Sequence, residues 1–439
     1  MKLKNTVAVL VAVMCLVIAP FEGFAAEMTW NYDETNATVS VKGYGMINDA
    51  TGLMPYLKTA KKIEVMGGVT KIDKNVFADC GIVEEVVLPE GMISIGDNSF
   101  SLSKMLKKIN FPDTLESIGN EAFMGCSDLE SVTIPKGLSS IGKNAFSSCE
   151  KIKEFKVDEE NQNFKEIDGV LFSKDGTELV MYPPGKTDES YILPQGTKKI
   201  HQNAFSYNNF IETAVLPDTV SEIGDYAFFF CEKLNTIDFG TGIKKVGDYA
   251  FYASKLKRAV LPYGTQSIGK YAFKNCDLLT RAEVPGTVTQ IGENAFFRTH
   301  SAMKIWGYGE AAESCARTEG KEFVKSVRVM IDGAETEFDQ PAVIMNNSTM
   351  VPMRKIFEAL GAEVTWDAQT RTATAAKDGV VCSFAIGGNI LYKNGESIEL
   401  AASAVIAGGR TLVHARAVAE AFGADVAWDA GTGLVTINN

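Results

Sequence analysis

The sequence lacks the residue patterns on which most catalytic and metal sites depend. Its three histidines, His201, His300 and His414, are isolated from one another, and none of the eight cysteines belongs to a CxxC pair. No HExxH motif occurs, so we expect no zinc site and no other metal or cofactor. Because GxSxG, GxxxxGKS/T and GxGxxG motifs are also missing, the sequence favours a protein that is not an enzyme.

Basic charge is also scarce. The 439 residues include 43 Lys and Arg against 55 Asp and Glu, which gives a formal net charge of -12. A chain this acidic repels the phosphate backbone of nucleic acids. We therefore expect no nucleic-acid partner.

Long apolar runs are confined to the first residues. Residues 1–25 are typical of a signal peptide, with Lys2 and Lys4 at the start, an apolar run from Val7 to Ile18, and a small-x-small cleavage site ending at Ala25. We expect a secreted, extracellular protein that could associate with the cell surface. No later stretch approaches the ~20 apolar residues of a spanning helix, so no transmembrane segment is predicted.

A phenylalanine returns about every 23 residues through most of the chain. Each one follows a phrase such as Ile118-Gly119-Asn120-Glu121-Ala122, and each phrase follows an apolar alternation that ends in proline, as in Leu129 to Pro135. A period of this length is typical of leucine-rich repeats. The repeat phenylalanines are Phe77, Phe100, Phe123, Phe146, Phe205, Phe228, Phe251, Phe273 and Phe296.

The alternation predicts a short strand with one buried face. Leu129, Val132 and Ile134 point one way, and Ser131 and Thr133 point the other. One repeat offers too few apolar groups to offset the ordering of its own backbone. Stacking shares the buried face with both neighbours, so the array should form a solenoid.

The Ile-Gly-x-x-Ala-Phe-x-x-Cys phrase and the strand-ending proline resemble the BspA-type leucine-rich repeats of bacterial surface proteins. The resemblance implies N-terminal cap strands over residues 26–60 and a repeat solenoid over residues 61–305. Residues 158–190 are similar to the hairpin that commonly interrupts such arrays. The spacing agrees, because the 59 residues from Phe146 to Phe205 equal one 23-residue repeat plus 36 further residues.

Five cysteines share one position, three residues after a repeat phenylalanine. Other repeats carry Ser103, Asn208, Ser254 or Thr299 there, which predicts a small buried slot for a thiol or a hydroxyl. Cys126 and Cys149 of adjacent repeats could approach closely enough for a disulfide, but parallel side chains favour free buried thiols. The five are Cys80, Cys126, Cys149, Cys231 and Cys276.

Tyr226, Tyr249 and Tyr271 also recur at one repeat position and should form a ladder along one edge. Such ladders can bind sugars or partners. Residues at one repeat phase more often pack on each other, so a structural role is favoured.

A different duplication occupies the C-terminal part of the chain. Met350–Asp367 recurs as Leu412–Asp429, 62 residues later. The apolar spacing predicts a helix that Gly361 ends, followed by a hairpin, in each half. The expected fold is thus mainly β with short helices and turns: a leucine-rich-repeat solenoid followed by a small duplicated α+β domain.

The VPxRxxxEALGAxVxWD phrase resembles the copper amine oxidase N-terminal-like domain, over residues 326–439, with residues 306–325 as a linker. In the oxidases this domain is a stalk outside the catalytic body, so the resemblance implies neither copper nor catalysis. Arg354 with Glu358, and Arg416 with Glu420, fit i,i+4 helix ion pairs. Trp366 and Trp428 complete the two copies of the motif. The second copy departs from the pattern, with His414 and Ala415 where the first has Pro352 and Met353.

These features favour an extracellular recognition or adhesion protein that binds a protein or glycan through the repeat solenoid. The candidate binding face consists of outward strand residues, and changing Arg258 and Arg281 to Glu should weaken binding. The alternative is a protein of the cell envelope, anchored to cell wall or glycan by its C-terminal domain. The ligand and the oligomeric state stay open. The candidate face residues are Lys108, Asn110, Ser131, Thr133, Glu154, Lys156, Thr236, Asp238, Arg258, Arg281 and Glu283.

Overall fold

The computed structural model describes residues 28–336, 338, 340–345, 347–367, 369–407 and 410–439. The signal peptide predicted over residues 1–25 lies outside these residues. The described chain confirms the predicted architecture, a mainly β solenoid that runs into a small duplicated α+β domain.

The first part of the chain consists of short strands and one short helix. A 3-10 turn at Thr51–Leu53 leads into α1 (Met54–Leu57). The strands are β1 (Thr29–Asp33), β2 (Thr38–Lys42), β3 (Gly45–Ile47), β4 (Lys62–Val65), β5 (Val69–Ile72), β6 (Glu85–Val87), β7 (Ser94–Ile95), β8 (Lys108–Ile109), β9 (Ser117–Ile118), β10 (Val132–Ile134), β11 (Ser140–Ile141), β12 (Phe155–Val157), β13 (Phe164–Ile167), β14 (Val170–Ser173), β15 (Glu178–Met181), β16 (Ser190–Ile192), β17 (Lys199–Ile200), β18 (Thr213–Val215), β19 (Glu222–Ile223), β20 (Thr236–Asp238), β21 (Lys245–Val246), β22 (Arg258–Val260), β23 (Ser267–Ile268), β24 (Arg281–Val284), β25 (Gln290–Ile291) and β26 (Lys304–Gly307).

The second part alternates helices and longer strands. Its elements are α2 (Glu310–Thr318), β27 (Glu322–Ile331), β28 (Ala334–Glu335), β29 (Ala342–Met345), β30 (Ser348–Pro352), α3 (Met353–Ala359), β31 (Glu363–Asp367), β32 (Thr372–Lys377), β33 (Val380–Ala385), β34 (Ile390–Lys393), β35 (Glu396–Glu399), β36 (Val405–Ala407), β37 (Arg410–His414), α4 (Ala415–Ala421), β38 (Asp425–Asp429) and β39 (Leu434–Asn438).

Two ranks of parallel strands run along the solenoid. The first rank precedes the repeat prolines and comprises β2, β4, β6, β8, β10, β12, β16, β18, β20, β22, β24 and β26. The second rank holds mostly two-residue strands, β3, β5, β7, β9, β11, β15, β17, β19, β21, β23 and β25. Lys62 pairs with Glu85 and Glu85 with Lys108, so each coil lies one 23-residue repeat beyond the last. We call the outward side of the first rank the strand face.

The core of the solenoid contains two columns of phenylalanine rings, one from Phe77 to Phe146 and one, beyond the insertion, from Phe205 to Phe296. Phe100, Phe123 and Phe146 stack with ring centroids 5.3 Å apart and nearly parallel planes. All nine repeat phenylalanines are at most 1% exposed. The rings must stack because each backbone turn is hydrogen-bonded to the next, as when Phe123 N–H donates to the Ala145 carbonyl. The period predicted from the sequence therefore sets the geometry of the whole core.

The interruption after Phe146 contains the predicted antiparallel hairpin and also one further coil of the solenoid, which the phenylalanine spacing did not predict. β13 and β14 pair through the Asp168-Gly169 turn. Beyond them, Tyr182 takes the place of a repeat phenylalanine, because its N–H donates to the Ala204 carbonyl and its ring stacks on Phe205 at 4.9 Å. The extra residues thus lie between Phe146 and Tyr182, and the 23-residue spacing resumes at Tyr182.

The slot after each phenylalanine is filled as the sequence suggested. The Cys126 Sγ–H donates to the Phe100 carbonyl and that of Cys149 to the Phe123 carbonyl, both at 3.2 Å. The Ser103 hydroxyl makes the same bond to Phe77. In these three coils a small donor in the slot therefore joins one coil to the coil before it. All seven cysteines of the described part are free thiols, which settles the question of a Cys126–Cys149 disulfide.

Residues 306–325 do not form the linker that the sequence suggested. β27 pairs in parallel with β26, with Lys304 opposite Glu322, and α2 lies between the two strands. Ala312 and Ala316 of α2 pack on the last coil of the repeat core. The segment is ordered because it covers apolar side chains that would otherwise face water at the end of the stack.

The C-terminal domain is built from the two predicted halves. α3 leads into the β31–β32 hairpin and α4 into the β38–β39 hairpin, and Gly361 ends α3 with φ 78°. The halves join where β30 pairs with β37, with Met350 opposite His414. β39 pairs with β27, so the strand that ends the solenoid also belongs to the sheet of this domain.

Candidate binding surfaces

The strand face presents most of the predicted binding residues to solvent. On coils β8, β10 and β12 it carries Lys108, Asn110, Ser131, Thr133, Glu154 and Lys156, and further along Thr236, Asp238 and Arg258, all exposed. Acidic and basic groups alternate, and Lys156 lies 3.6 Å from Glu154 in an exposed pair. Exposed pairs of this kind contribute little to stability, so these side chains can contact a partner at low cost.

A shallow groove lies on the strand face where the sheet is interrupted between β8 and β10. It encloses about 370 Å3 and is lined by Glu85, Lys108, Asn110, Glu130 and Ser131. Asn110 has a structural task there, because its amide both accepts from Leu88 N–H and donates to the Leu88 carbonyl. Its side chain thus continues the strand pairing that the short β8 does not complete.

The prediction that Arg281 and Glu283 are outward binding residues is wrong. Glu283 is 7% exposed, and the Arg281 side chain retains 16% of its surface. The guanidinium of Arg281 lies 2.8 Å from the Glu283 carboxylate and over the Trp306 ring. Both residues are covered because β26 and β27 continue the sheet beside them, where the sequence suggested a linker.

The C-terminal domain docks on the last coils through a buried polar contact. Arg328 of β27 donates to the Leu261 carbonyl and pairs with Glu283 at 3.5 Å and Glu335 at 3.4 Å. Tyr263 of the solenoid donates its N–H to Glu335 and its hydroxyl to Thr432, each at 3.0 Å. The two parts therefore share one interface with paired charges.

A larger cleft, which we call the junction cleft, opens between the solenoid and the first half of the C-terminal domain. It encloses about 740 Å3 and combines Arg258 of the strand face with residues of α3, β31 and β37. The structure thus brings together two sets of predicted residues that lie far apart in the sequence. The charged and aromatic residues that line it are Arg258, Phe338, Arg354, Lys355, Glu358, Trp366 and Arg410.

The two copies of the C-terminal motif differ in their surroundings. Arg416 and Glu420 form the predicted i,i+4 pair at 3.8 Å, whereas none of the ion pairs in the described part of the chain joins Arg354 and Glu358. Trp428 is partly covered, because Tyr308 packs edge-on against it with centroids 5.7 Å apart. Trp366 is 42% exposed in the junction cleft.

The predicted tyrosine ladder is present and is held by its own stacking. The rings of Tyr226 and Tyr249, and of Tyr249 and Tyr271, lie 4.8 Å apart. All three residues have left-handed backbones, with φ between 56° and 58°. Lys274 lies 4.7 Å from the Tyr271 ring centre. Because the ring faces are turned toward one another, the ladder fits the structural role that the sequence favoured.

The titratable side chains of the described residues form no metal cluster. No group of three or more His, Cys, Asp or Glu side chains within the described ranges could hold an ion. Burial lowers the pKa of His201, and it raises the pKa of Cys80, Cys126 and Cys276 to about 12. These groups are perturbed by packing within the solenoid.

The sequence alone did not identify five residues of these surfaces: Tyr263, Arg328, Lys355, Arg410 and Thr432. Only Lys355 carried a usable signal, because its counterpart in the second half is Ala417 and the difference breaks the duplication. The others acquire their roles only when the two parts dock.

The fold and these surfaces define a leucine-rich-repeat solenoid with an appended α+β domain. The repeat matches the family model of the BspA type leucine rich repeat region over residues 56–178 and 189–305, which is more than half of the chain. The protein belongs to this family. Residues 330–437 match the copper amine oxidase N-terminal domain.

Several solved structures are similar to this chain. The pneumococcal vaccine antigen PcpA is 24% identical, with a TM-score of 0.52 over 67% of this chain and 96% of that one. A leucine rich cell surface protein from Faecalibacterium prausnitzii is 23% identical, with a TM-score of 0.49 over 67% and 97% of the two chains. A leucine-rich repeat protein from Eubacterium ventriosum is 21% identical, with a TM-score of 0.47 over 62% and 92%.

The comparison with curated proteins found no match. Among the described residues, no helix has both the length and the apolar character needed to span a membrane.

Proposed function

We propose that the protein is a secreted, non-catalytic recognition or adhesion protein that binds an extracellular macromolecule through its strand face. The observation that carries the proposal is the row of exposed polar side chains on successive coils. A solenoid of stacked coils offers an extended surface of the kind that binds large partners. The family to which the chain belongs supports a role at the bacterial surface.

The composition of the strand face narrows the kind of contact. Lys108, Glu154, Lys156 and Arg258 supply charges of both signs, and Ser131 and Thr133 supply hydroxyls between them. Such a surface suits a polar protein partner whose charges complement the row, since charge pairing sets specificity and association rate. The groove between β8 and β10 gives one partner side chain a place to enter.

The test is solid-phase binding of the full chain to purified extracellular matrix proteins. The variant Lys108→Glu/Lys156→Glu reverses two charges of the face, and we expect it to weaken binding about tenfold or more. Lys143→Glu/Lys270→Glu is the matched control, because Lys143 and Lys270 follow second-rank strands on another side of the solenoid. Equal binding by the two double variants would contradict a role for the strand face.

A second candidate function is attachment to the cell envelope or to a glycan through the C-terminal domain. The half-exposed Trp366 favours it, since a large aromatic ring without full cover is expensive to leave in water. Cosedimentation of the full chain with purified cell wall tests it. Retention on the wall supports attachment, and a chain that stays in the supernatant contradicts it.

A further inference from the structure

We propose that the junction cleft is a binding site for an anionic glycan, a chain of sugar rings that carry carboxylate or phosphate groups. The inference rests on the second candidate function and names the site and the class of ligand. The volume of the cleft, about 740 Å3, lies within the usual range of ligand-binding clefts.

The charge of the cleft is opposite to that of the chain. Among its described lining residues Arg258, Arg354 and Lys355 are basic and Glu358 is acidic, and Glu283 pairs with Arg258 from beside the cleft, whereas the chain as a whole has a net charge of -12. Arg354 and Lys355 are exposed at the start of α3. A local excess of cations on an acidic protein attracts an anion to this place and repels it elsewhere.

Arginine adds geometry to this attraction. The planar guanidinium donates two parallel N–H bonds to a carboxylate or a phosphate, which a lysine ammonium does not. Arg258 holds one side of the cleft, and its guanidinium is oriented by Glu283 at 3.3 Å. Arg354 lies on the other side, on the C-terminal domain. An extended ligand can thus be held by both parts of the protein.

The aromatic ring distinguishes a glycan from a simple anion. Trp366 is 42% exposed and lines the cleft beside these cations. A sugar ring presents an apolar face to an indole and polar groups around its rim, so stacking and ion pairing act on the same unit. An inorganic anion would use the cations and leave the indole unused.

The second half of the domain provides an internal comparison. Its tryptophan, Trp428, is covered by Tyr308, and its arginine, Arg416, pairs with Glu420. Ala417 stands where the first half has Lys355. One copy of the duplicated motif therefore packs against the solenoid, while the other keeps its cations and its indole open to a ligand.

The experiment is calorimetric titration of the full chain with three probes: oligogalacturonate, which carries carboxylates, phosphomannan, which carries phosphates, and neutral dextran. We expect one or both anionic probes to bind, with affinity that falls as salt rises, and dextran not to bind. Arg354→Gln/Lys355→Gln should weaken binding about tenfold or more. Trp366→Ala should weaken it about fivefold.

Arg416→Gln is the control, because it removes the equivalent charge from the other half and should leave binding unchanged. Thermal unfolding of each variant shows whether it is folded as the wild type is. The proposal is overturned if no anionic probe binds, if the double variant binds as tightly as the wild type, or if polyglutamate binds with the same response to Trp366→Ala.

Cosedimentation with cell wall separates this inference from the function on which it rests. Retention of the wild type and loss of the Arg354→Gln/Lys355→Gln variant support both. Equal retention of the two leaves attachment standing and overturns the cleft as its site. Failure of the wild type to sediment contradicts attachment itself, while the titration still decides whether the cleft binds a glycan.

Discussion

At the scale of single residues, the repeat glycine limits how closely the coils approach. A methyl group on Gly142 would lie 2.4 Å from the nitrogen of Asn120 and the carbonyl carbon of Gly119 in the previous coil. Neither backbone atom can move without shifting its whole coil. Glycine therefore recurs in the Ile-Gly phrase because the coils are packed backbone against backbone.

We expect Gly142→Ala to lower the free energy of unfolding by about 2 kcal/mol or more, because two coils must separate to admit the methyl group. Urea unfolding measures the change. Gly67→Ala is the control, since Gly67 has no atom within 4 Å of an added methyl group and its φ is not positive. Similar losses in the two variants would contradict close packing of the coils.

The repeat thiols are the second residue-scale feature. Cys149 lies fully within the core, and burial raises its pKa well above the usual value for a thiol. The thiolate is the reactive form of cysteine. Burial therefore slows the reaction in two ways: it excludes the reagent, and it keeps the thiol protonated.

We expect the five buried thiols of the repeat slots to resist Ellman's reagent near pH 8 in the folded protein and to react fully in guanidinium chloride. Absorbance of the released thiolate measures the reaction. Rapid stoichiometric labelling of the native protein would show that the slots are open.

At the scale of elements, the caps of the two homologous helices differ. Pro352 precedes α3, whereas the imidazole of His414 caps α4 by accepting from Ala417 N–H at 3.2 Å. Burial lowers the pKa of His414, and the nearby Arg416 lowers it further. Only the neutral ring can accept this bond. The departure from the duplicated pattern therefore has a physical role as a helix cap.

The cap predicts a pH dependence. Because its folded pKa is lowered, His414 binds fewer protons in the native state than in the unfolded state. Its contribution to stability is complete above the unfolded pKa of about 6.5 and is lost as pH falls through the folded pKa.

His414→Asn keeps a side-chain acceptor without this titration. Urea unfolding of both proteins between about pH 7.5 and pH 5 measures the difference, and we expect the wild type to lose stability relative to the variant toward the acid side. Parallel stability curves for the two proteins would contradict the role of the neutral imidazole.

Elements that repeat could be predicted from the sequence, and those that occur once could not. The first-rank strands, the stacked phenylalanines and the glycine that ends the helix each recur in the chain. Several copies of one sequence pattern therefore indicate the same packing. α2 occurs once and is ordered only because Ala312 and Ala316 cover the end of the core. The coil that contains Tyr182 was not predicted, because a tyrosine stands there in place of the phenylalanine by which the other repeats are recognised.

The candidate surfaces divide in the same way. Lys108, Thr133 and Lys156 could be placed on the strand face by the alternation of one strand. Arg281 obeys the same alternation, yet it is covered by a strand that no local pattern assigned. The junction cleft forms only when the C-terminal domain docks on the solenoid. Its residues Arg258 and Arg354 lie 96 positions apart in the sequence. Only a three-dimensional arrangement could reveal it.

At the scale of the whole molecule, the solenoid and the C-terminal domain are joined through a shared strand. β27 pairs with β26 at one end and with β39 at the other. Arg328 of this strand is 13% exposed and pairs with two carboxylates, of which Glu283 belongs to the solenoid. We therefore expect the junction to couple the folding of the two parts.

We expect Arg328→Ala to lower the free energy of unfolding by about 3 kcal/mol, because it leaves the largely covered carboxylate of Glu335, which is 14% exposed, without its cation. Calorimetry of the wild type should show one cooperative unfolding transition, and the variant should separate into two. Arg317→Ala removes an exposed arginine from α2 and is the control. Two transitions in the wild type would contradict the coupling.

Crosslinking shows whether a partner contacts the strand face. A photo-crosslinking residue is placed at Thr133 on the face or at Lys143 beyond β11, and the protein is irradiated with the matrix protein that it binds most tightly. We expect a covalent product from position 133 and none from position 143. A product from position 143 alone would contradict contact at the strand face.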